Sequence, residues 1–249
     1  MSSGSDSGPD ASLVSVLGEA RSAGFLGPGP LEPQIRHAEG FATVSRRLLG
    51  PAPGADDGSV GAAGAAGAAG QGTEASEAPE ASEAPRVLDL GSGGGLPGLV
   101  VATRWPEARL VLLEAQGRRA AFLGWGIGTL GLGGRASVRH VRAEEFGRDP
   151  SGRGCFDVVL ARSFGPPAVT VECAAPLLRT GGWLVVSEPP GQSRDEALQR
   201  WPAGAIGQLG LRPAERIHDE FEYRVLRQEE PCPERFPRRN GVPAKRPLF

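Results

Sequence analysis

The chain has 249 residues, 39% of them hydrophobic, enough for one sizeable domain with a buried core plus additional segments. Its formal charge of −2 hides an asymmetry, because residues 1–85 carry 11 acids against 4 bases and residues 86–249 carry 18 against 23. The polar start lacks a basic or apolar region, no run of about 18 strongly apolar residues exists, and Cys155, Cys173 and Cys232 lack metal-ligand spacing. These features argue against a signal peptide, a membrane span and a metal site, and they suit reduced thiols in a cytoplasmic protein.

Taken in order, residues 1–30 read as a mostly disordered N-terminus; a helix could begin at Ser12–Ala20, but Gly24, Gly27, Pro28, Gly29 and Pro30 break it. Residues 31–50 have apolar positions at helical spacing (Ile35, Ala38, Phe41, Ala42, Val44, Leu48) and predict one amphipathic helix that needs a partner surface. Residues 51–85 are low in complexity, with Gly-Ala-Ala and then Glu-Ala-Ser/Pro repeats, no aromatic residue and one Val, so they read as a flexible acidic linker or a partner-binding tail.

From Arg86 the pattern becomes that of an α/β fold. Strands are expected at 87–89, 109–114, 137–142, 156–161, 182–187, 214–218 and 221–227. Helices are expected near 97–105, 117–131, 143–146, 168–178 and 194–201. Continuous apolar strands separated by helical stretches imply a mostly parallel sheet covered on both faces.

The stretch richest in information is Val87-Leu-Asp-Leu-Gly-Ser-Gly-Gly-Gly-Leu-Pro-Gly98. Strand, glycine turn and helix let a ligand approach the backbone at the carboxyl end of a strand, with Gly91 and Gly93 at the turn. Asp89 would repel a pyrophosphate, and it suits a ligand with positive charge and free donors, such as S-adenosylmethionine. Glu114 closes the next strand, where a carboxylate can accept bonds from both ribose hydroxyls or simply stand exposed at a strand end. Ala143 and Glu144 follow the third strand, where contact with an adenine edge is open but not decided by spacing. Arg162 ends the fourth strand in Ala161-Arg-Ser-Phe-Gly-Pro-Pro167, where methyltransferases acting on exocyclic amines commonly carry Asn/Asp-Pro-Pro-aromatic; ring nitrogens, oxygens or small molecules remain as acceptors. No Ser-His-Asp set is visible among His37, His140 and His218, and no catalytic residue is assigned. After Glu234 no acid remains, while Arg235, Arg238, Arg239, Lys245 and Arg246 follow. Such a tail either meets RNA phosphates or pairs with acids of the domain and pins the terminus.

The glycine stretch resembles the motif of the RsmG (glucose-inhibited division protein B) family. Leu112-Leu-Glu-Ala-Gln-Gly-Arg-Arg-Ala-Ala-Phe-Leu123, Ala143-Glu-Glu-Phe146, Ala161-Arg-Ser-Phe164 and the ending Arg235-Phe-Pro-Arg-Arg-Asn-Gly-Val-Pro-Ala-Lys-Arg-Pro-Leu248 resemble its later blocks. The resemblance covers residues 86–249 and implies a Rossmann-like class I S-adenosylmethionine-dependent methyltransferase with a mostly parallel seven-stranded sheet and helices on both faces. It implies transfer of methyl to N7 of a guanine in small-subunit ribosomal RNA. By the same resemblance Gly91, Leu96, Ala143, Glu144 and Arg162 contact the cofactor, while the charge of the tail, not the resemblance, makes Arg238, Arg239, Lys245 and Arg246 the candidates to contact RNA of the subunit or its precursor. N7 carries a lone pair and no proton, so no general base is required. Four departures keep other readings open: the N-terminal Trp-Asn-x-x-x-Asn-Leu-Thr segment is absent, Glu39-Gly40 stand where Asp-Ser is usual after Arg-His, the linker at 51–85 is extra, and Glu188-Pro-Pro-Gly191 stands where the family often has Lys-Gly, an acid that would repel RNA phosphate. The alternatives are a diverged paralogue acting on another RNA or a small molecule, and a non-catalytic cofactor-binding protein.

Overall fold

The structure, a computed structural model, describes residues 9–50, 84–191, 193–218 and 220–249. The acidic linker expected at 51–85 therefore falls almost wholly outside the described residues. In chain order the elements are α1 (Pro9–Ser22), α2 (Leu31–Leu49), β1 (Arg86–Leu90), α3 (Gly98–Arg104), β2 (Arg109–Glu114), α4 (Gly117–Thr129), β3 (Ala136–His140), α5 (Ala143–Phe146) and β4 (Phe156–Ala161). There follow α6 (Pro167–Ala174), a 3-10 turn (Ala175–Leu177), β5 (Leu178–Glu188), α7 (Arg194–Arg200), α8 (Ala203–Gly207), β6 (Leu211–His218), β7 (Glu222–Gln228) and α9 (Val242–Lys245).

The seven strands form one sheet in the order β3-β2-β1-β4-β5-β7-β6. β1 to β5 pair in parallel, and β7 runs antiparallel to both β5 and β6. Side-chain alternation along the central strands feeds two separate cores. Val87, Leu110, Leu112, Val158, Leu160 and Val185 point to one face, and Leu88, Leu113, Val159, Ala161 and Leu184 to the other. The first core is closed by α1, α2, α3 and α4, the second by α5, α6, α8 and the C-terminal segment. Pro213 lies in β6, the sheet's edge, beside a register shift between Pro213 and Glu215, where a missing ladder donor is tolerated.

Two expectations need correction. Residues 9–22 are helix, not part of a disordered N-terminus: Leu13, Val16, Leu17 and Ala20 recur at i, i+3, i+4, i+7 and are buried against the sheet's helices. Gly18 faces open space and does not interrupt the stripe. The helix expected at 168–178 ends at Ala174, because Pro176 forces a 3-10 turn, and β5 begins at Leu178. A short helix, α8, also follows Pro202 where none was expected. Among the described residues no helix is long and apolar enough to cross a membrane, and no group of His, Cys, Asp and Glu could hold a metal ion.

Candidate functional site

β1 is paired on one side with β2 and on the other with β4, so the chain order reverses there and a crevice opens at the strands' carboxyl ends. The loop leaving β1 folds over that end: the N–H groups of Gly91 and Ser92 both donate to the Leu113 carbonyl, at 2.9 and 3.0 Å. Gly91, Gly93 and Gly95 have φ of 75°, 55° and 99°, the left-handed region that favours glycine. Most of these glycines are also required by packing. A Cβ on Gly91 would meet the Phe164 ring at 2.6 Å, on Gly94 it would meet Leu26, and on Gly95 it would meet Leu99. Gly93 is different: among the described residues, its chain neighbours aside, only the Gly91 carbonyl lies within 4 Å of its missing Cβ, at 3.8 Å, so its open side is where a ligand can reach the backbone.

Two carboxylates flank this loop. Glu114, at the end of β2, accepts from the Gly93 N–H at 2.9 Å and from the Gln116 N–H at 2.8 Å. Asp89 is 1% exposed and accepts from the Gly98 N–H at 2.9 Å through Oδ2, while its Oδ1 has no hydrogen-bond partner among the described residues. Burial pushes the Asp89 carboxyl up to about 7, against the lowering by the Ser92 hydroxyl, the Gly98 N–H and, less strongly, the Arg162 guanidinium. A buried carboxylate oxygen without a donor, beside an open glycine backbone and a second acid, fits a cationic ligand with hydroxyl donors. S-adenosylmethionine has those groups, and Gly93, Glu114 and the main chain around Asp89 would hold it.

The remaining expected contacts separate. Leu96 is buried in the first core, so only its main chain borders the loop. Ala143 begins α5 and packs in the second core. The Glu144 carboxylate accepts from the Gly241 N–H at 2.8 Å and from Arg142 at 3.2 Å. Burial would raise its pKa, but those bonds hold it below the usual carboxylate range. Its side chain therefore ties the C-terminal segment to α5 through Oε1. Arg162, just past β4, makes no hydrogen bond among the described residues.

The tail is corrected in part. Arg238 donates to the wholly buried Glu172 carboxylate of α6, through Nε at 2.7 Å, and to the Arg246 carbonyl at 2.7 Å. It pins the terminus and is not displayed for RNA. Asn240 and Gly241 reach Glu145 and Glu144 in the same way. Arg239, Lys245 and Arg246 stay exposed with no acid on their side chains among the described residues.

Sequence reasoning missed a second pocket, of about 360 Å³, at the ends of β4 and β5. His37, Arg162, Phe164, Glu188, Arg200 and Trp201 are among the residues lining it. Ser163 turns the chain there with φ 55°, a strained value for a residue with a Cβ. Glu188 is not the exposed acid expected to repel phosphate: it is 7% exposed and faces Arg200. No sequence signal joins α2, β4, β5 and α7; only the fold does. A larger cavity of about 570 Å³, with Arg86, Arg109 and Arg135, lies at the strands' opposite ends, away from the glycine loop.

Residues 74–200 match the family described as rRNA small subunit methyltransferase G. The chain is 38% identical over 172 residues to the ribosomal RNA small subunit methyltransferase G of Rubrobacter xylanophilus, covering 66% of each chain. It is 39% identical over 168 residues to the protein of the same name from Prochlorococcus marinus, covering 66% of this chain and 68% of that one. The chain thus spans about two thirds of the length of these relatives. Among solved structures, the O-methyltransferase from Bacillus cereus in complex with SAH is similar in fold, with a TM-score of 0.54, 15% identity, and 89% and 92% of the two chains covered.

Proposed function

The chain belongs to the rRNA small subunit methyltransferase G family, and from that premise we propose that it transfers a methyl group from S-adenosylmethionine to N7 of a guanine in small-subunit ribosomal RNA, acting in the cytoplasm on the subunit or its precursor. The observation that carries the cofactor half is the crevice at β1: open Gly93 in the loop, with the Glu114 carboxylate and an Asp89 Oδ1 that has no hydrogen-bond partner among the described residues flanking it. The cofactor supplies a methyl group on a sulfonium centre. The acceptor N7 has a lone pair and no proton to lose, so the protein must orient and hold but need not abstract. The absence of an Asn/Asp-Pro-Pro-aromatic stretch after β4 supports a ring nitrogen over an exocyclic amine.

Burial of Glu188 beside Arg200 removes one reason for favouring a diverged substrate, since that charge is not displayed to RNA. The test is direct. Small ribosomal subunits from a strain lacking the protein, incubated with it and labelled S-adenosylmethionine, are digested to nucleosides and weighed by mass spectrometry. Label in 7-methylguanosine is expected; label in another nucleoside, or none, overturns the reading.

A further inference from the structure

Resting on that functional reading, we propose that the pocket at the ends of β4 and β5 seats a guanine base turned out of its RNA, and that the Glu188 carboxylate reads its N1–H and N2 amine. The pocket adjoins the glycine loop through Phe164, whose ring covers Gly91, so a base within it lies next to the cofactor crevice. An enzyme that acts on a base inside folded RNA must take that base out of its stack, and this requires a pocket with edge-reading groups.

The lining carries groups with unmet bonding capacity. Trp201 is 1% exposed and its Nε1–H has no partner among the described residues. His37 Nε2 is likewise buried and unpartnered. Burial, with Arg162 beside it, depresses the His37 ring to about 4, so it is neutral at pH 7. The Glu188 carboxylate is held by Arg200 only loosely, with Nε to Oε2 at 3.3 Å and Nη2 to Oε1 at 3.5 Å. Charge-assisted bonds normally close to about 2.7–2.9 Å, so these acceptor sites remain available to better-placed donors.

Guanine matches that inventory. Its Watson–Crick edge offers two adjacent donors, N1–H and the N2 amine, for one carboxylate, and O6 for a donor such as Arg200. Adenine presents an N1 lone pair at the same place and would set an acceptor against the acceptor-only carboxylate. Reading that edge leaves N7, on the other side of the ring system, free to react. Methylation at N7 also puts positive charge on the ring, and a carboxylate on its far edge stabilises that charge as it develops. An acid at position 188 is therefore favourable to the chemistry, provided it meets the base and not the phosphates.

The experiment uses small-subunit RNA reconstituted into particles with guanosine or inosine at the methylated position, located beforehand by mass spectrometry. Inosine keeps N7, O6 and N1–H but lacks the N2 amine. The wild-type protein is expected to prefer guanosine by about tenfold in kcat/KM, and Glu188→Ala to lower the guanosine value by about 10- to 100-fold and bring the ratio close to one. Glu188→Gln, which keeps the side chain's shape, serves if the alanine variant does not fold, and should give an intermediate ratio. S-adenosylmethionine affinity should be unchanged in both. A wild-type preference retained by these variants, or a rate lost equally on both RNAs, overturns the pocket assignment while leaving the methyltransferase reading intact. A wild-type protein that places no methyl on guanine N7 overturns both.

Discussion

Asp89 and His37 are buried titratable groups whose pKa values move in opposite directions, and their effects on stability oppose each other. Asp89 is raised from 3.8 to about 7. Between those pH values the unfolded chain ionises first, so this group makes stability fall as pH rises, with its full cost present above about pH 7. His37 is lowered from 6.5 to about 4. Between pH 6.5 and 4 the unfolded chain binds the extra proton, so this group makes stability fall as pH drops. Asp89→Asn retains an acceptor for the Gly98 N–H and removes the first effect. Its melting temperature should exceed that of the wild type at pH 8, and the difference should vanish near pH 4. A constant difference across that range would show that Asp89 does not titrate as described. Glu114→Ala should weaken S-adenosylmethionine binding about tenfold or more, since a charged hydrogen bond contributes roughly 1.5–3 kcal/mol and the same carboxylate also holds the Gly93 N–H. Calorimetry giving wild-type affinity would remove Glu114 from the site.

At the scale of elements, the two chain ends brace the site from opposite faces. α1 buries Leu13 and Leu17, and the segment after it sets Leu26 and the Phe25 carbonyl where a Gly94 side chain would stand. Leu17→Ala should cost about 2–5 kcal/mol, measured by denaturant unfolding; a cost near zero would return the segment to the disordered role its glycines and prolines suggested. On the other face Arg238 neutralises Glu172, whose side chain is fully buried. Arg238→Ala should cost on the order of 3–5 kcal/mol, as removing one partner of a buried pair does. Arg239→Ala, Lys245→Ala and Arg246→Ala should leave the melting temperature in place and weaken RNA binding. Each should flatten the salt dependence by a slope of about 0.7–0.9. If Arg238→Ala changes only the salt slope, its pinning role fails.

Across the whole molecule, α2 couples the first part of the chain to the last strand. The Tyr223 hydroxyl of β7 donates to the His37 carbonyl at 2.6 Å, and a Cβ on Gly40 would collide with that hydroxyl. His37 stacks on Phe221 with ring centroids 4.6 Å apart. Gly40→Ala should therefore cost about 1–3 kcal/mol through overpacking and also disturb the pocket that His37 lines. A variant with wild-type melting behaviour would show that α2 can shift without loss.

The sequence by itself determined the alternating α/β order, the amphipathic character of α2, and the glycine loop with acids at 89 and 114. All three are written in local spacing: period 2 or continuous apolar runs for strands, period 3.6 for helices, and left-handed φ at the turn glycines. Helix α1 was only half legible: a helix could begin at Ser12–Ala20, but the Gly/Pro cluster from Gly24 to Pro30 outweighed a four-residue stripe whose value lies in what it packs against. Only the tertiary structure decided which charges are displayed and which are consumed. Arg238 and Arg239 are adjacent in the chain, yet one is bound to Glu172 and the other is exposed; Glu144 is turned to Gly241, and Glu188 to Arg200. Those outcomes rest on partners 12 to 97 residues away, brought together by a sheet whose strand order reverses at β1. Burial there sets the electrostatic cost that makes pairing obligatory.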